Sequence, residues 1–276
     1  MRTIALKNYL INKYYNKGNS EFSDLIAVEE PLQISLIHSD SDHEVLLNVT
    51  MRSPGDDFEL VTGFLYNEEI ISGLTDIEHI RYCNTVDEEN KENKIKVTLA
   101  KNIIIQPEKL QRNFTSNSSC GVCGKQMLEQ LCNAFDKIQF QDKISIETVL
   151  KLPEIVKKEQ LLFKHTGGIH ACGLFTSGGN LISVKEDIGR HNAFDKLIGH
   201  QLIKNEKFDN TIAVLSGRVG YEMIQKAAVA KIPVVVAVGA PTSLAVDMAK
   251  EAGICLIGFI KKNSLNIYCN KEYIAT

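Results

Sequence analysis

The chain has 276 residues, 44% of them hydrophobic and 24% charged, which suits a soluble globular protein with one large domain or two unequal ones. A formal net charge of −3 provides no chain-wide basicity for nucleic acid, and no apolar run reaches the ~18 residues of a membrane span. The seven cysteines are odd in number and lack the spacing of a secreted disulfide framework, and the first residues lack the apolar core of a signal peptide. A reducing cytoplasm is therefore expected.

Residues 1–110 read as a smaller, β-rich α+β unit. Strands are expected over 31–37 and 44–50, joined by a polar link. Ser53-Pro54-Gly55-Asp56 signals a turn and a helix start, and Phe58, Leu60, Val61, Phe64 and Leu65 supply an apolar helical face. Residues 77–86 and 94–100 form a hairpin around a solvated charged tip. Residues 111–124 read as a mobile loop that delivers a thiol pair, with a domain boundary beside it. Helices are expected over 124–135 and 146–159, then a hairpin of 170–175 and 180–186 about Thr176-Ser177-Gly178-Gly179. A further helix spans 193–201. In the last third, 212–215, 234–238 and 255–260 are short continuous apolar runs, the pattern of strands buried on both faces. Helical segments over 219–230 and 243–252 separate them, which implies parallel strands with right-handed crossovers in this last third of an α/β domain placed over 125–276.

Cys120-Gly121-Val122-Cys123-Gly124 ends a polar run just ahead of a predicted helix. Unpaired N–H groups and the positive end of a helix dipole favour thiolate there, and thiolates attack sulfur and bind metals. A structural zinc site needs paired ligand motifs, and no second C-x-x-C exists. A thioredoxin-like pair follows a βαβ strand, whereas this one follows a polar loop. In a sulfur relay, one thiolate holds sulfane sulfur as a persulfide and the second assists or releases it by exchange. The residues alone leave redox exchange and sulfur relay open.

Ligands of open α/β sheets sit outside the C-terminal strand ends. Ser216-Gly217-Arg218 follows one such end and Gly239-Ala240-Pro241-Thr242 the next, each leading into a helix N-terminus that can hold an anion. Arg218 would add a bidentate phosphate donor. The bland alternative is that the glycines simply make tight turns. His165 and His170 bracket Gly167-Gly168 on the way into a strand, and Arg190 opens a helix in Asp187-Ile188-Gly189-Arg190-His191-Asn192. These three side chains are expected to gather on one face, with hydrogen-bonded structural histidines as the alternative. His38, His43, His79 and His200 have no such company. Cys83, Cys132, Cys172, Cys255 and Cys269 are expected to pack in the core.

Taken together, these blocks resemble the FdhD/NarQ family, sulfurtransferases that support formate dehydrogenase. The resemblance runs through Met51-Arg52-Ser53-Pro54-Gly55-Asp56-Asp57, Gly63-Phe64-Leu65, the thiol pair, His165-Thr166-Gly167-Gly168-Ile169-His170-Ala171 and Glu186-Asp187-Ile188-Gly189-Arg190-His191-Asn192-Ala193. It continues through both strand-end turns and covers nearly everything after about residue 25. It implies a cytoplasmic sulfur carrier that takes sulfur from a cysteine desulfurase. The acceptor would be molybdenum bis(molybdopterin guanine dinucleotide), sulfurated before insertion into the formate dehydrogenase catalytic subunit. By position Cys120 matches the persulfide-bearing cysteine and Cys123 the second thiol. The cofactor-binding stretch falls on Phe259-Ile260-Lys261-Lys262-Asn263-Ser264, where Lys261 or Lys262 would pair with phosphate. The assembly implied is a homodimer with no resident metal. The larger domain would be a three-layer α/β/α sandwich similar to cytidine deaminases. Deamination itself is rejected, because Cys172 stands where the proton-shuttling glutamate of a zinc deaminase would follow His170-Ala171.

Overall fold

The structure, a computed structural model, describes residues 5–16, 18–40, 43–83, 92–101, 103 and 137–275. Cys120, Cys123, Cys132, the helix expected over 124–135 and the boundaries expected between 110 and 125 lie outside the described residues.

The chain opens with an antiparallel ribbon, β1 (Leu6–Tyr15) and β2 (Gly18–Ala27), which the sequence reading missed. Then β3 (Glu30–His38), β4 (Glu44–Arg52), β5 (Ile77–Tyr82) and β6 (Lys94–Leu99) make a four-stranded sheet in the order β4-β3-β6-β5. Its two antiparallel pairs, β3–β4 and β5–β6, are those expected, and the parallel β3–β6 pairing joins them. Alternation along β6 buries Ile95, Val97 and Leu99 against Leu32, Ile34 and Leu36 of β3. Helix α1 (Asp57–Asn67) closes that core with Leu60, Val61 and Leu65.

The second half is a six-stranded mixed sheet of order β13-β12-β11-β10-β8-β9. It is built by β8 (His170–Thr176), β9 (Leu181–Asp187), β10 (Thr211–Leu215), β11 (Val234–Ala237), β12 (Cys255–Lys261) and β13 (Ser264–Cys269). β10, β11 and β12 run parallel. Strand β7 (Ile144–Ser145) pairs with the C-terminal β14 (Ile274–Ala275). The helices are α2 (Ile146–Glu159), α3 (Leu161–Thr166), α4 (Arg190–Ile203), α5 (Tyr221–Val229) and α6 (Ser243–Ala252).

Period-two alternation sends the two faces of this sheet into separate cores. Cys172, Ala213, Val235 and Leu256 pack with α4, α5 and α6. Ala171, Val214, Val236 and Ile257 pack with Val149, Leu152 and Val156 of α2. The helix expected from 219 starts instead at Tyr221, because Val219 is held in a bridge to Pro241. The stretch 261–264, read as a strand end, is a hairpin turn between β12 and β13, where Lys261 pairs with Ser264.

The two halves meet at a buried polar junction. Arg52 of β4 donates to both carboxylate oxygens of Asp57 at 3.0 Å, with Tyr82 Oη donating to the same carboxylate. From β9, Asp187 accepts from the amide of Ser53, from Gly189 N and from Asn192 Nδ2, and pairs with Lys196 Nζ at 2.7 Å. Asn192 Nδ2 also donates to the Met51 carbonyl. Buried charge persists only when paired and hydrogen-bonded. The blocks 51–57 and 186–193 are therefore the two sides of one joint.

Candidate ligand cavity at the strand ends

The ends of β10, β11 and β12 open into a cavity of about 590 Å³. Ser216 and Val238 line it from two strand-end turns that are tied together through backbone. Val238 N donates to Leu215 O, Gly239 N to Gly217 O, Val219 N to Ala240 O, Thr242 N to Val219 O and Phe259 N to Gly239 O. A Cβ at Gly239 would meet the Gly217 carbonyl oxygen at 2.7 Å, so only glycine allows the two turns to touch. Thr242 then caps α6, its side-chain oxygen accepting from Ala245 N at 3.3 Å.

His170 enters from β8. Its Nδ1 lies 3.4 Å from Ser216 Oγ, which also accepts from Ala171 N at 2.9 Å. Burial, then the neighbouring Arg190 and His191, push the His170 imidazole below its ordinary value of 6.5, against a smaller pull from Asp187. Neutral imidazole is thus the resting form at pH 7 and can donate or accept one hydrogen bond. Gly167 holds φ 66° as the left-handed stop of α3, and with Gly168 lines the cavity as bare backbone. The carboxylate of Glu186 fixes this wall by accepting from Leu162 N and Phe163 N at 2.8 and 2.9 Å. Ile260, Lys261 and Lys262 form the rim after β12. Phe259 sits beside them at φ 52° and is 45% exposed, a strained conformation for a bulky residue.

Of the residues expected at the site, the cavity gathers His170, Ser216, Ile260, Lys261 and Lys262. Gly217, Gly239, Ala240, Pro241 and Thr242 hold the two strand-end turns together and do not line the cavity. His165, on the last turn of α3, and Arg218, in the strand-end turn, are exposed and do not line the cavity. Asn263 and Ser264 are exposed in the hairpin beyond the rim. Arg190 opens α4, where its Nε is buried with no hydrogen-bond partner among the described residues. The opposite wall was missed altogether. It consists of Leu150, Pro153, Glu154 and Lys157 of α2, with Gln160 and Phe163 after it. Pro153 stands inside α2, where it has no amide to offer the helix ladder.

Residues 27–275 match the model of the FdhD/NarQ family. The chain belongs to the FdhD/NarQ family. It is 40% identical over 272 residues to the sulfur carrier protein FdhD of Sulfolobus acidocaldarius, covering 98% of this chain and 99% of that one. It is 41% identical over 270 residues to that of Thermoplasma acidophilum, covering 97% and 93%. A crystal structure assigned as a formate dehydrogenase accessory protein from Desulfotalea psychrophila shares the fold at TM-score 0.75 and 22% identity, over 99% of this chain and all of that one. Within this FdhD/NarQ member, no helix among the described residues is long and apolar enough to cross a membrane.

Proposed function

We propose that this FdhD/NarQ member is a cytoplasmic sulfur carrier. It takes sulfane sulfur from a cysteine desulfurase and delivers it to molybdenum bis(molybdopterin guanine dinucleotide), the cofactor of a formate dehydrogenase client. The single observation that carries this reading is the near-full-length identity of about 40% to sulfur carrier proteins. The strand-end cavity supports it: a phosphate-bearing cargo fits a rim of two adjacent lysines over glycine turns.

The chemistry falls to the thiols. The Cys120 thiolate attacks the outer sulfur of the desulfurase persulfide, so that its S–S bond breaks, the donor leaves as a thiolate and Cys120 holds the new S–S bond. The Cys123 thiolate then attacks Cys120 Sγ, expels hydrosulfide toward the cargo and leaves a Cys120–Cys123 disulfide for a dithiol reductant to reopen. His170, neutral and tied to Ser216, serves as a hydrogen-bond partner for the cargo at the cavity floor. The second half, with helices on both faces of its sheet, is read as a three-layer sandwich of cytidine deaminase type, and the assembly as a homodimer.

The test is mass spectrometry of the protein after incubation with desulfurase and cysteine. The peptide containing Cys120 should gain one sulfur atom, and Cys120→Ala should abolish both that gain and formate dehydrogenase activation. Activation that survives Cys120→Ala would instead favour a cofactor chaperone that moves no sulfur through its own thiols.

A further inference from the structure

Gln160 is the corner between α2 and α3, ending one helix and starting the next at φ −71° and ψ 95°. Its backbone is held from both sides: its N–H donates to Val156 O at 3.1 Å, and its carbonyl accepts from Lys164 N at 3.3 Å. Glu186 pins the amides of Leu162 and Phe163 just beyond. The residue is 5% exposed and lines the strand-end cavity. Its side-chain amide has no hydrogen-bond partner among the described residues, yet neither its nitrogen nor its oxygen is sealed from solvent. A buried amide on a rigid corner, with donor and acceptor both open to a cavity, is a group for a ligand to satisfy.

The charged side chains of the cavity stand elsewhere. Glu154, Lys157, Lys261 and Lys262 are all exposed, so charge collects at the mouth while the neutral amide lies within. Phe163 and Ile188 add half-buried apolar surface. His170 and Ser216 already face each other at 3.4 Å. A ligand that suits this order has an anionic tail and a flat, neutral head with hydrogen-bonding atoms along one edge. An amide presents one donor and one acceptor side by side, and it matches an edge that presents the same pair reversed. The cargo read above carries that edge twice, as the adjacent oxo and ring N–H groups of guanine and of pterin.

We propose that Gln160 is the residue that reads this lactam edge. Its Nε2 donates to the oxo group and its Oε1 accepts from the ring N–H, with the ring against Phe163 and Ile188 and the phosphates at the lysine mouth. This role rests on the cargo reading of the cavity and adds a direction to it: the heterocycle enters first and the phosphates stay outside.

Calorimetry with GDP, neopterin and purine riboside diphosphate tests it. The last probe keeps the purine ring, sugar and phosphates but lacks the oxo and N–H groups. Gln160→Leu should weaken GDP, neopterin or both by about ten- to hundred-fold and leave purine riboside diphosphate unchanged. Its denaturant midpoint should not fall, since an amide without a partner has no bond to lose. Gln160→Met, also free of the amide but unbranched, takes its place if the leucine variant does not fold. Weakening of GDP alone identifies guanine as the edge held, weakening of neopterin alone identifies the pterin, and weakening of both shows that the cavity accepts either. Unmoved affinities for GDP and neopterin, or an equal loss for purine riboside diphosphate, would overturn the role of Gln160 and leave the cavity as the cargo site. Binding of neither GDP nor neopterin to the unsubstituted protein would overturn both together.

Discussion

Gly63 of α1 and Gly199 of α4 face each other where the two helices cross. A Cβ on Gly63 would run into the carbonyl of Asp195, one turn before Gly199, and a Cβ on Gly199 into the carbonyl of Glu59, one turn before Gly63. The contact is reciprocal and made by backbone, which cannot move aside as a side chain can. Gly199→Ala or Gly63→Ala should therefore cost about 3 kcal/mol or prevent folding, the upper end of overpacking penalties. Denaturant midpoints measure it, and a midpoint equal to that of the unsubstituted protein would show that the helices can separate freely.

The junction makes a second prediction. Lys196 and Asp187 are almost wholly buried and 2.7 Å apart. Lys196→Met leaves a buried carboxylate without its cation and should cost about 3–5 kcal/mol. Asp187→Asn combined with Lys196→Met should recover part of that loss, because no unpaired charge remains. A double-mutant cycle with no coupling would contradict the pairing.

The imidazole of His170 should titrate below 6.5, because burial and then Arg190 and His191 oppose its charging. The sign follows from linkage: below pH 6.5 the unfolded chain takes up a proton that the folded chain refuses, so stability falls as pH drops from 6.5 toward the folded value. Above 6.5 both states are neutral and the group contributes no slope. Proton NMR of the imidazole gives the midpoint, and His170→Gln should flatten this part of the stability profile. A midpoint above 6.5 would mean that a carboxylate dominates the site.

Binding of GDP to the strand-end cavity should depend on its rim. Lys261→Ala combined with Lys262→Ala should weaken it by about ten- to hundred-fold or more, the loss of at least one charge-assisted contact. Arg218→Ala should matter less, since Arg218 is exposed and does not line the cavity. Calorimetry on both variants decides, and a larger effect at Arg218 would move the phosphate site onto the α5 side of the turns.

The parts of the fold that could be read from sequence are those whose residues face core. The all-buried strands β10 and β11 have no polar position to blur the pattern, and α2 was bounded correctly from residue 146 to 159. The β1–β2 ribbon was not legible, because Tyr9, Leu10, Tyr14 and Phe22 stay exposed on both of its faces and no period of two appears. Helix α3 is too short for a helical period, and Glu186 holds its N-terminus from 24 residues away. At the cavity, His170 and Ser216 were legible as polar residues at strand ends. The α2 wall was not, because in sequence its side chains look like an ordinary amphipathic face. Nor was the pairing of Arg52 with Asp57 evident, since a turn separates the two and only the buried geometry brings them together.

Neighbouring residues on a strand point to opposite faces, and the last two of β9 are put to different uses. Glu186 grips the amides of α3, the wall of one cavity, while Asp187 grips Ser53 and Lys196, the joint to the first half of the chain. One rigid peptide unit thus connects the two grips. The wall against which a ligand would rest is thereby joined to the N-terminal half by two side chains and one peptide, with no flexible linker between them.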